Sequence, residues 1–540
     1  MLRTPVLIAG GGPVGMTLAH DLALRGVRSI LVERNSTTTS HPKMDITNGR
    51  SMELFRRARL ADALRAVAVP TSSPFDVSWV TTMSGHELHR FHYRSVDEDR
   101  VHIREINDGA QSREAQMRVS QVEIEPVLKR AIDADPEVDV RFGTELLGLE
   151  QDADGVIVTV RHIESNKTES IRCDFVVGCD GGGSRVRESL GIELSGQARI
   201  MPRFMTHFRS DAKDLLQRWG IAWHYQSVHG TMIAQNDKDV WTLHSRFPEG
   251  HTPETVDPSA LLRAFTGTDF PHQVLVANHW SPHLLVANSY GSGRVWLAGD
   301  AAHQYIPTGA YGMNTGIGDV FGLSWKIAAR VHGFGGPKLL EAYDLERRPV
   351  GLRNRRASAG HNDIRLRISA LYTDSLFASG ATGEVTRKTA AAQIATLGNA
   401  ENECRGIEFG YAYDDSPIVC GEPGTRAPAD PRVYHPTTVP GARLPSVFLQ
   451  DGTALHDELG QWFTLVIFGR LDGSAWIYAA RKQNVPLKVI SLNEPTLISI
   501  YEAPMIMVRP DQHVAWRGTR MDSSSHAEVL LRQFLGWADS

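Results

Sequence analysis

The sequence predicts an α/β protein: a parallel sheet as its core, an antiparallel sheet inserted into it, and a smaller α/β domain at the carboxyl end. Three observations carry this. An apolar run from Val6 to Ala9 leads straight into Gly10-x-Gly12-x-x-Gly15, and Val14, Leu18 and Leu22 then recur at helical spacing. Far downstream, "RVWLAGD" repeats the order of apolar run, glycine and acid at Gly299-Asp300. Between these two, and again after a proline-rich stretch, short segments alternate apolar and polar residues with the period of two of half-buried strands. The chain has 540 residues, more than the about 250–300 that one core serves, so two or three domains are expected.

The first element is a buried strand ending at Ala9, and the glycines that follow let backbone approach a pyrophosphate. A helix begins there and directs its free N–H groups at the phosphates, and Gly26 stands where a helix C′ residue belongs. Ser29 to Val32 is the second strand, closed by Glu33, whose carboxylate can accept hydrogen bonds from ribose hydroxyls and disfavours a 2′-phosphate. Strand, loop, helix, strand and acid fall in the order of a dinucleotide site for FAD or NAD rather than NADP.

The second glycine–acid turn favours FAD. A ribityl chain needs a hydroxyl acceptor, which Asp300 can supply. A reduced flavin ring gains negative charge, which backbone N–H groups of the turn from Pro307 to Gly312, entering a helix through Asn314, can face. Between the two sites, "CDFVVGCDGGGSRVRESLGI" reads as a strand ending at Cys179 and a turn at Asp180-Gly181. Taken alone, that segment is equally a β-turn followed by a helix cap at Ser184.

Together the three motifs resemble the class A flavoprotein monooxygenases, the aromatic hydroxylases of the p-hydroxybenzoate hydroxylase fold, over essentially the whole chain. "HPKMDITNGRSMELFRR", "SPIVCGEP" and "VRPDQHVAWRG" resemble the larger phenol- and polyketide-hydroxylase branch, which includes a flavoenzyme of indolocarbazole biosynthesis. The resemblance implies a Rossmann-like FAD-binding domain of the GR2 type at 1–75, 93–190 and 281–355. It further implies cofactor contacts from Arg50 near the phosphates, from Gln121 near the ribityl chain with Arg118 beside it, and from Pro13, Val14, Arg34, Gly181, Gly299, Pro307, Gly312 and Met313 at motif positions. Lys43 stands where the family more often has arginine, and "GAYGMN" replaces "GGxGMN", which sets Ala310 and Tyr311 beside the flavin.

Residues 76–92 and 191–280 are expected to form the antiparallel substrate sheet, with "RFMTHFRS", "IAWHYQSVHG", "TMIAQN" and "VWTLHSRF" as strands. Expected lining residues are Trp223, Tyr225, Met232, Arg246 and Pro307; His207, His244 and Tyr311 are expected to act in catalysis, either histidine serving as a general base. The resemblance implies hydroxylation of a phenolic or polycyclic aromatic substrate with O2 through a flavin C4a-hydroperoxide, NAD(P)H acting as a transient electron donor without a domain of its own. Baeyer–Villiger or decarboxylative oxidation, a non-oxygenating reductase and a non-enzymatic FAD scaffold stay open at this point.

Residues 356–403 read as a helical connector with little site chemistry, and 404–445 as a proline-rich linker. Residues 446–540 are expected to form a thioredoxin-like domain without CxxC, with "QWFTLVIFG" and "LKVISL" as strands and a hairpin turning at Pro510-Asp511, serving stability or dimer formation. The balance of charge is −5 with no basic run, so no nucleic-acid partner is expected; no apolar stretch of about 20 residues predicts a membrane span. Cys173, Cys179, Cys404 and Cys420 form no CxxC, and no histidine sits in a metal-ligand spacing, so a cytoplasmic enzyme without a metal, acting as a homodimer, is expected.

Overall fold

A computed structural model describes residues 1–422 and 429–537. The part of the proline-rich stretch at 423–428 and the last three residues of the predicted carboxyl-terminal domain lie outside the described residues. The core sheet runs in parallel through β1 (Leu2–Ala9), β2 (Ser29–Glu33), β3 (Val138–Phe142), β4 (Thr168–Gly178) and β5 (Val295–Leu297), in the spatial order β5-β4-β1-β2-β3. β1 is buried on both faces at Val6, Leu7 and Ile8, as a central parallel strand must be. Helix α1 (Pro13–Leu24) covers one face, and Gly26 ends it: Val27 N–H donates to Leu22 O and Gly26 N–H to Ala23 O, the paired bonds of a Schellman motif. Helix α2 (Tyr311–Val331) lies against α1 and is buried along most of its length.

The inserted sheet has seven strands in the order Gln273–Trp280, Arg203–Arg209, Val240–Arg246, Gly230–Ala234, His224–Ser227, Val77–Val80 and Glu87–Phe91, antiparallel except for the parallel pair His224–Ser227 with Val77–Val80. The expected strands are all present. One helix, Lys338–Ser369, runs 32 residues across the expected domain boundary at 355; its buried face changes from Leu339, Leu340, Tyr343 and Val350 to the polar Asn354, Ser358, His361 and Asn362 as it passes into the supposed connector. The described residues of 404–445 are tied to the fold: Thr438, Arg443 and Leu444 are fully buried, and the Cys420 and Gly441 N–H groups donate to Ala515 and Val514 carbonyls.

The carboxyl-terminal domain pairs Leu487–Leu492 in parallel with Phe463–Phe468, followed by antiparallel Met505–Val508 and Val514–Gly518, and helices Ser474–Lys482 and Ser524–Phe534 pack on it. A buried ionic cluster docks it on the rest. Glu346 accepts from Lys326 Nζ at 2.7 Å and from Arg509 at 2.6 and 2.8 Å, while Arg509 also pairs with Asp511. Among the described residues no helix is long and apolar enough to cross a membrane.

Candidate functional site

The carboxyl ends of β5, β4, β1 and β2 lie side by side, and each ends in one of the motifs read from the sequence: Gly299-Asp300, Asp180-Gly181, the glycine loop and Glu33. Ligands of open parallel sheets bind at such strand ends. Gly10 has φ +109°, and a Cβ there would lie 2.2 Å from Cys179 O, so the loop depends on glycine to cross beneath β4. Gly12 differs: its φ is −77°, and an added Cβ meets no protein atom within 4 Å. Val14 sits against Gly299 and Gly316, where a Cβ would come within 3.0 and 2.6 Å of it, so the first and last motifs form one groove.

Glu33 accepts from Gly11 N–H at 2.8 Å and thus overhangs the loop; Arg34 follows, exposed. No side chain caps α1 or α2, and both open toward the groove. Asp180 accepts from Val186 N–H through Oδ2, while its buried Oδ1 has no partner. Burial raises the Asp180 pKa. The capping reading of this segment is also true: Ser184 accepts from Arg187 N–H, and the Arg187 guanidinium joins the motifs by donating to Gly182 O and Ala301 O. Two uncapped helix starts, an orphaned carboxylate oxygen and an unobstructed glycine cradle fit a dinucleotide with a flavin end.

Four residues expected to contact the cofactor have protein partners. Arg50 is buried and donates to Glu53 at 3.0 Å, Gln512 at 2.6 Å and Asp511 O at 2.9 Å, so it joins the carboxyl-terminal domain instead of reaching a phosphate. Arg118 clamps the inserted sheet, with bidentate bonds to Asp237 at 2.9 and 2.7 Å and a bond to Ala234 O. The Asn314 carboxamide links the start of α2 to the Ile46–Asn48 segment, donating to Ile46 O and Ala310 O and accepting from Asn48 N–H. Gln121 donates to Glu125 and, through its N–H, to Met44 O, steadying the loop before residue 45.

Beside the flavin-side loop Ile306–Ala310 lies a cavity of about 440 Å³, enclosed by the inserted sheet, the 41–48 segment and residues 362–408. Strand register arranges its floor in rows. His224, Ile233, Thr242 and His207 form one; Gln226, Thr231, His244, Met205 and Asn278 the next; Arg246, Arg203 and Trp280 the third. Of the expected residues Trp223, His244, Arg246 and Pro307 line the cavity. Tyr225 and Met232 do not. They are cross-strand partners on the opposite face, packed with Leu243, Leu262 and Phe265. His207 lies at the far end of its row, bonded to Thr242 Oγ1 at 2.9 Å and outside the cavity. Tyr311 stacks on His361, 2.9 Å from its Nε2, and is buried against Cys404 and Ile407 behind the loop.

Sequence reasoning missed several groups. Asp45 Oδ2 accepts from Trp223 Nε1 at 2.5 Å and lies 3.1 Å from His224 Nε2. Burial alone would raise the Asp45 pKa, but hydrogen bonding and charge from His224, with Trp223, hold it below the ordinary value. Burial also pushes the His244 imidazole down to about 4, so it is neutral near pH 7. Glu408, facing the cavity beside Cys404, is pushed up to about 7 by burial. The supposed inert connector contributes Arg365, which donates to Glu401 at 2.8 Å. Asp45 lies inside a quoted motif, and the alternation in "WHYQ" offers His224 and Gln226 as the companion face to Tyr225.

Comparison with known proteins matches residues 3–358 to the FAD binding domain family and residues 437–538 to the aromatic-ring hydroxylase C-terminal domain. The FAD-dependent monooxygenase apdD of Emericella nidulans is 37% identical, covering 98% of this chain and 90% of its own. The structure of chromopyrrolic acid-soaked RebC with bound 7-carboxy-K252c superposes with a TM-score of 0.89 at 33% identity, over 99% of this chain and 100% of that one. The flavin-dependent monooxygenase PieE in complex with FAD and substrate superposes with a TM-score of 0.87 at 28% identity, over 99% and 98%.

Proposed function

The chain belongs to the FAD-dependent aromatic-ring monooxygenases, and from that premise we propose that it places one oxygen atom of O2 on an electron-rich phenolic ring, with NADH or NADPH as transient donor and water as the second product. The observation that carries the reading is the joining of the two sites: Ile306–Ala310 borders the cavity and immediately precedes the uncapped start of α2. The glycine loop, Glu33, Asp180, Asp300 and the first turn of α2 would hold FAD, which when bound supplies the reductive activation of O2.

Within the cavity, Asp45 and His224 handle the proton of the substrate hydroxyl. The carboxylate stays ionised and orients the imidazole through Nε2, and His224 borders the cavity where the hydroxyl would lie. Loss of that proton to the dyad makes the ring electron-rich. His244, neutral, serves as a hydrogen-bonding group rather than a base. Trp79, Trp223 and Trp280 give flat apolar walls that orient an aromatic ring and displace water. The four cysteines are free, with no vicinal pair for disulfide reduction.

The test is turnover of reconstituted protein with NADH or NADPH and a panel of mono- to tricyclic phenols under ¹⁸O2. A product heavier by one labelled oxygen, with substrate-accelerated donor oxidation, is expected. Donor oxidation that gives only hydrogen peroxide across the panel, or a product labelled from water, refutes the reading.

A further inference from the structure

The third row of the cavity floor carries two arginines without a counter-ion among the described residues, Arg203 half-buried and Arg246 exposed. Arg203 and Arg246 are cross-strand partners and both line the cavity. Directly opposed side chains stand about 4.5–5.5 Å apart at Cβ, and like charges so placed destabilise a sheet. Neither guanidinium has a hydrogen-bond or ion-pair partner among the described residues, in contrast to Arg365, which Glu401 neutralises. Burial and the charges of Arg365 and Arg246 bring the Arg203 pKa down to about 10, with no carboxylate to offset them. Trp280 adjoins Arg203 on the neighbouring strand, giving an aromatic surface beside the charges.

Distance adds shape. His224 lies two strands away from Arg246, and its row meets that strand at Thr242, four residues short of Arg246. At about 4.8 Å between strands and about 3.3 Å per residue, their Cα atoms are about 16 Å apart. Two arginines across from one another present the forked donors that match a planar two-oxygen anion.

We propose that the substrate is an elongated aromatic acid of at least two rings, its carboxylate held between Arg203 and Arg246 and its reacting hydroxyl toward Asp45–His224. This rests on the monooxygenase reading and specifies its substrate class.

The experiment titrates FAD-loaded protein with 6-hydroxy-2-naphthoate and, separately, with the neutral 6-hydroxy-2-naphthamide, following the flavin absorbance change. Thermal midpoints are measured in parallel. Wild type should bind the acid at least about tenfold more tightly than the amide. Arg203→Gln and Arg246→Gln should each reduce that preference to about twofold or less while retaining FAD and amide affinity. Each should also raise the thermal midpoint without ligand, by up to about 1 °C, because a repulsion is removed. Equal affinity for acid and amide in wild type, equal loss of both in the variants, or a lowered midpoint overturns the proposal. The midpoint decides even where neither probe binds. Because binding and melting are read without turnover, failure here is distinct from failure to incorporate labelled oxygen.

Discussion

Alanine at Gly12 should separate cofactor affinity from folding. The residue has φ −77° and ψ −179°, a backbone conformation open to any L residue, and the new Cβ would meet no protein atom within 4 Å. As the cap of α1, alanine is worse than glycine by up to about 1 kcal/mol, and the stiffer unfolded chain returns about 0.4–1 kcal/mol. The apoprotein should therefore change by no more than about 0.5 kcal/mol and its thermal midpoint by less than about 2 °C. A pyrophosphate on the α1 N–H groups, by contrast, would be displaced by the methyl group. Losing one charge-assisted hydrogen bond, about 1.5–3 kcal/mol, corresponds to a roughly 10- to 150-fold rise in the Kd for FAD. Gly10→Ala is the comparison: its Cβ falls 2.2 Å from Cys179 O at φ +109°, so it should lower the midpoint of the apoprotein itself. The assay is fluorescence titration of deflavinated protein with FAD, beside thermal melts of the same samples. FAD binding by Gly12→Ala within twofold of wild type would refute the placement of the pyrophosphate on this loop.

Glu346→Gln should destabilise the fold by about 3–5 kcal/mol, because Lys326 and Arg509 are left buried with Asp511 as their remaining carboxylate; thermal melts at pH 7 check this. Burial opposes ionisation of Glu346, but the adjacent Arg509 and Lys326 outweigh it and hold its folded pKa below the ordinary carboxylate value of 4.5. Its contribution is therefore present above pH 4.5 and lost as the pH falls below it, so wild type and variant should converge in acid, and a constant gap down to pH 3 would count against the assignment. Met232→Ala, on the covered face, should cost about 2–5 kcal/mol in denaturant unfolding and leave KM within twofold, whereas Trp280→Phe, whose indole N–H has no partner among the described residues, should raise KM with little loss of stability; the reverse pattern would mean that the faces are misassigned. Ala310 has φ +53° at the cap of α2, a left-handed conformation unfavourable for a side chain by about 1–2 kcal/mol. After the about 0.4–1 kcal/mol lost to a freer unfolded chain, Ala310→Gly should stabilise the apoprotein by up to about 1 kcal/mol, and a midpoint lowered by more than about a degree would show that the methyl packs favourably instead.

The legible parts of this protein are those where chemistry constrains the backbone of a single short segment. Gly10, Gly26, Glu33 and Gly299-Asp300 announce themselves because a turn, a helix end or a strand end accepts few residues there. Arg50 and Arg118 mislead because their partners, Asp511 and Gln512 in one case and Asp237 in the other, are distant in sequence and no local pattern names them. Asp45 escapes notice for the same reason: a lone carboxylate gains meaning from Trp223 and His224, which only the tertiary fold brings to it. The helix from Lys338 to Ser369 shows how a periodic pattern can reveal an element without revealing its neighbour, since Arg365 and Leu366 look like ordinary surface residues until the cavity is seen beside them.

The errors on the inserted sheet follow a different logic, and local turn chemistry resolves part of them. Tyr225 and Met232 pair across the hairpin, so expecting both in the cavity is one mistake of parity rather than two of chemistry. Ser227 pairs with Gly230, leaving Val228 and His229 as a two-residue turn, and Gly230 has φ +143°. Two-residue turns set hairpin register, so a turn at Val228-His229 is enough to pair Tyr225 with Met232 and His224 with Ile233. Trp223 cannot arbitrate between those faces, because it precedes the strand. His244 can: its row passes through Thr231 and Gln226, and parity then carries His224 to the cavity and Tyr225 to the core. The same step of two along the strand from His244 reaches Arg246, whose partner is Arg203. The second charge that specifies the proposed substrate is therefore one pairing away from Arg246, a residue that the sequence itself singles out.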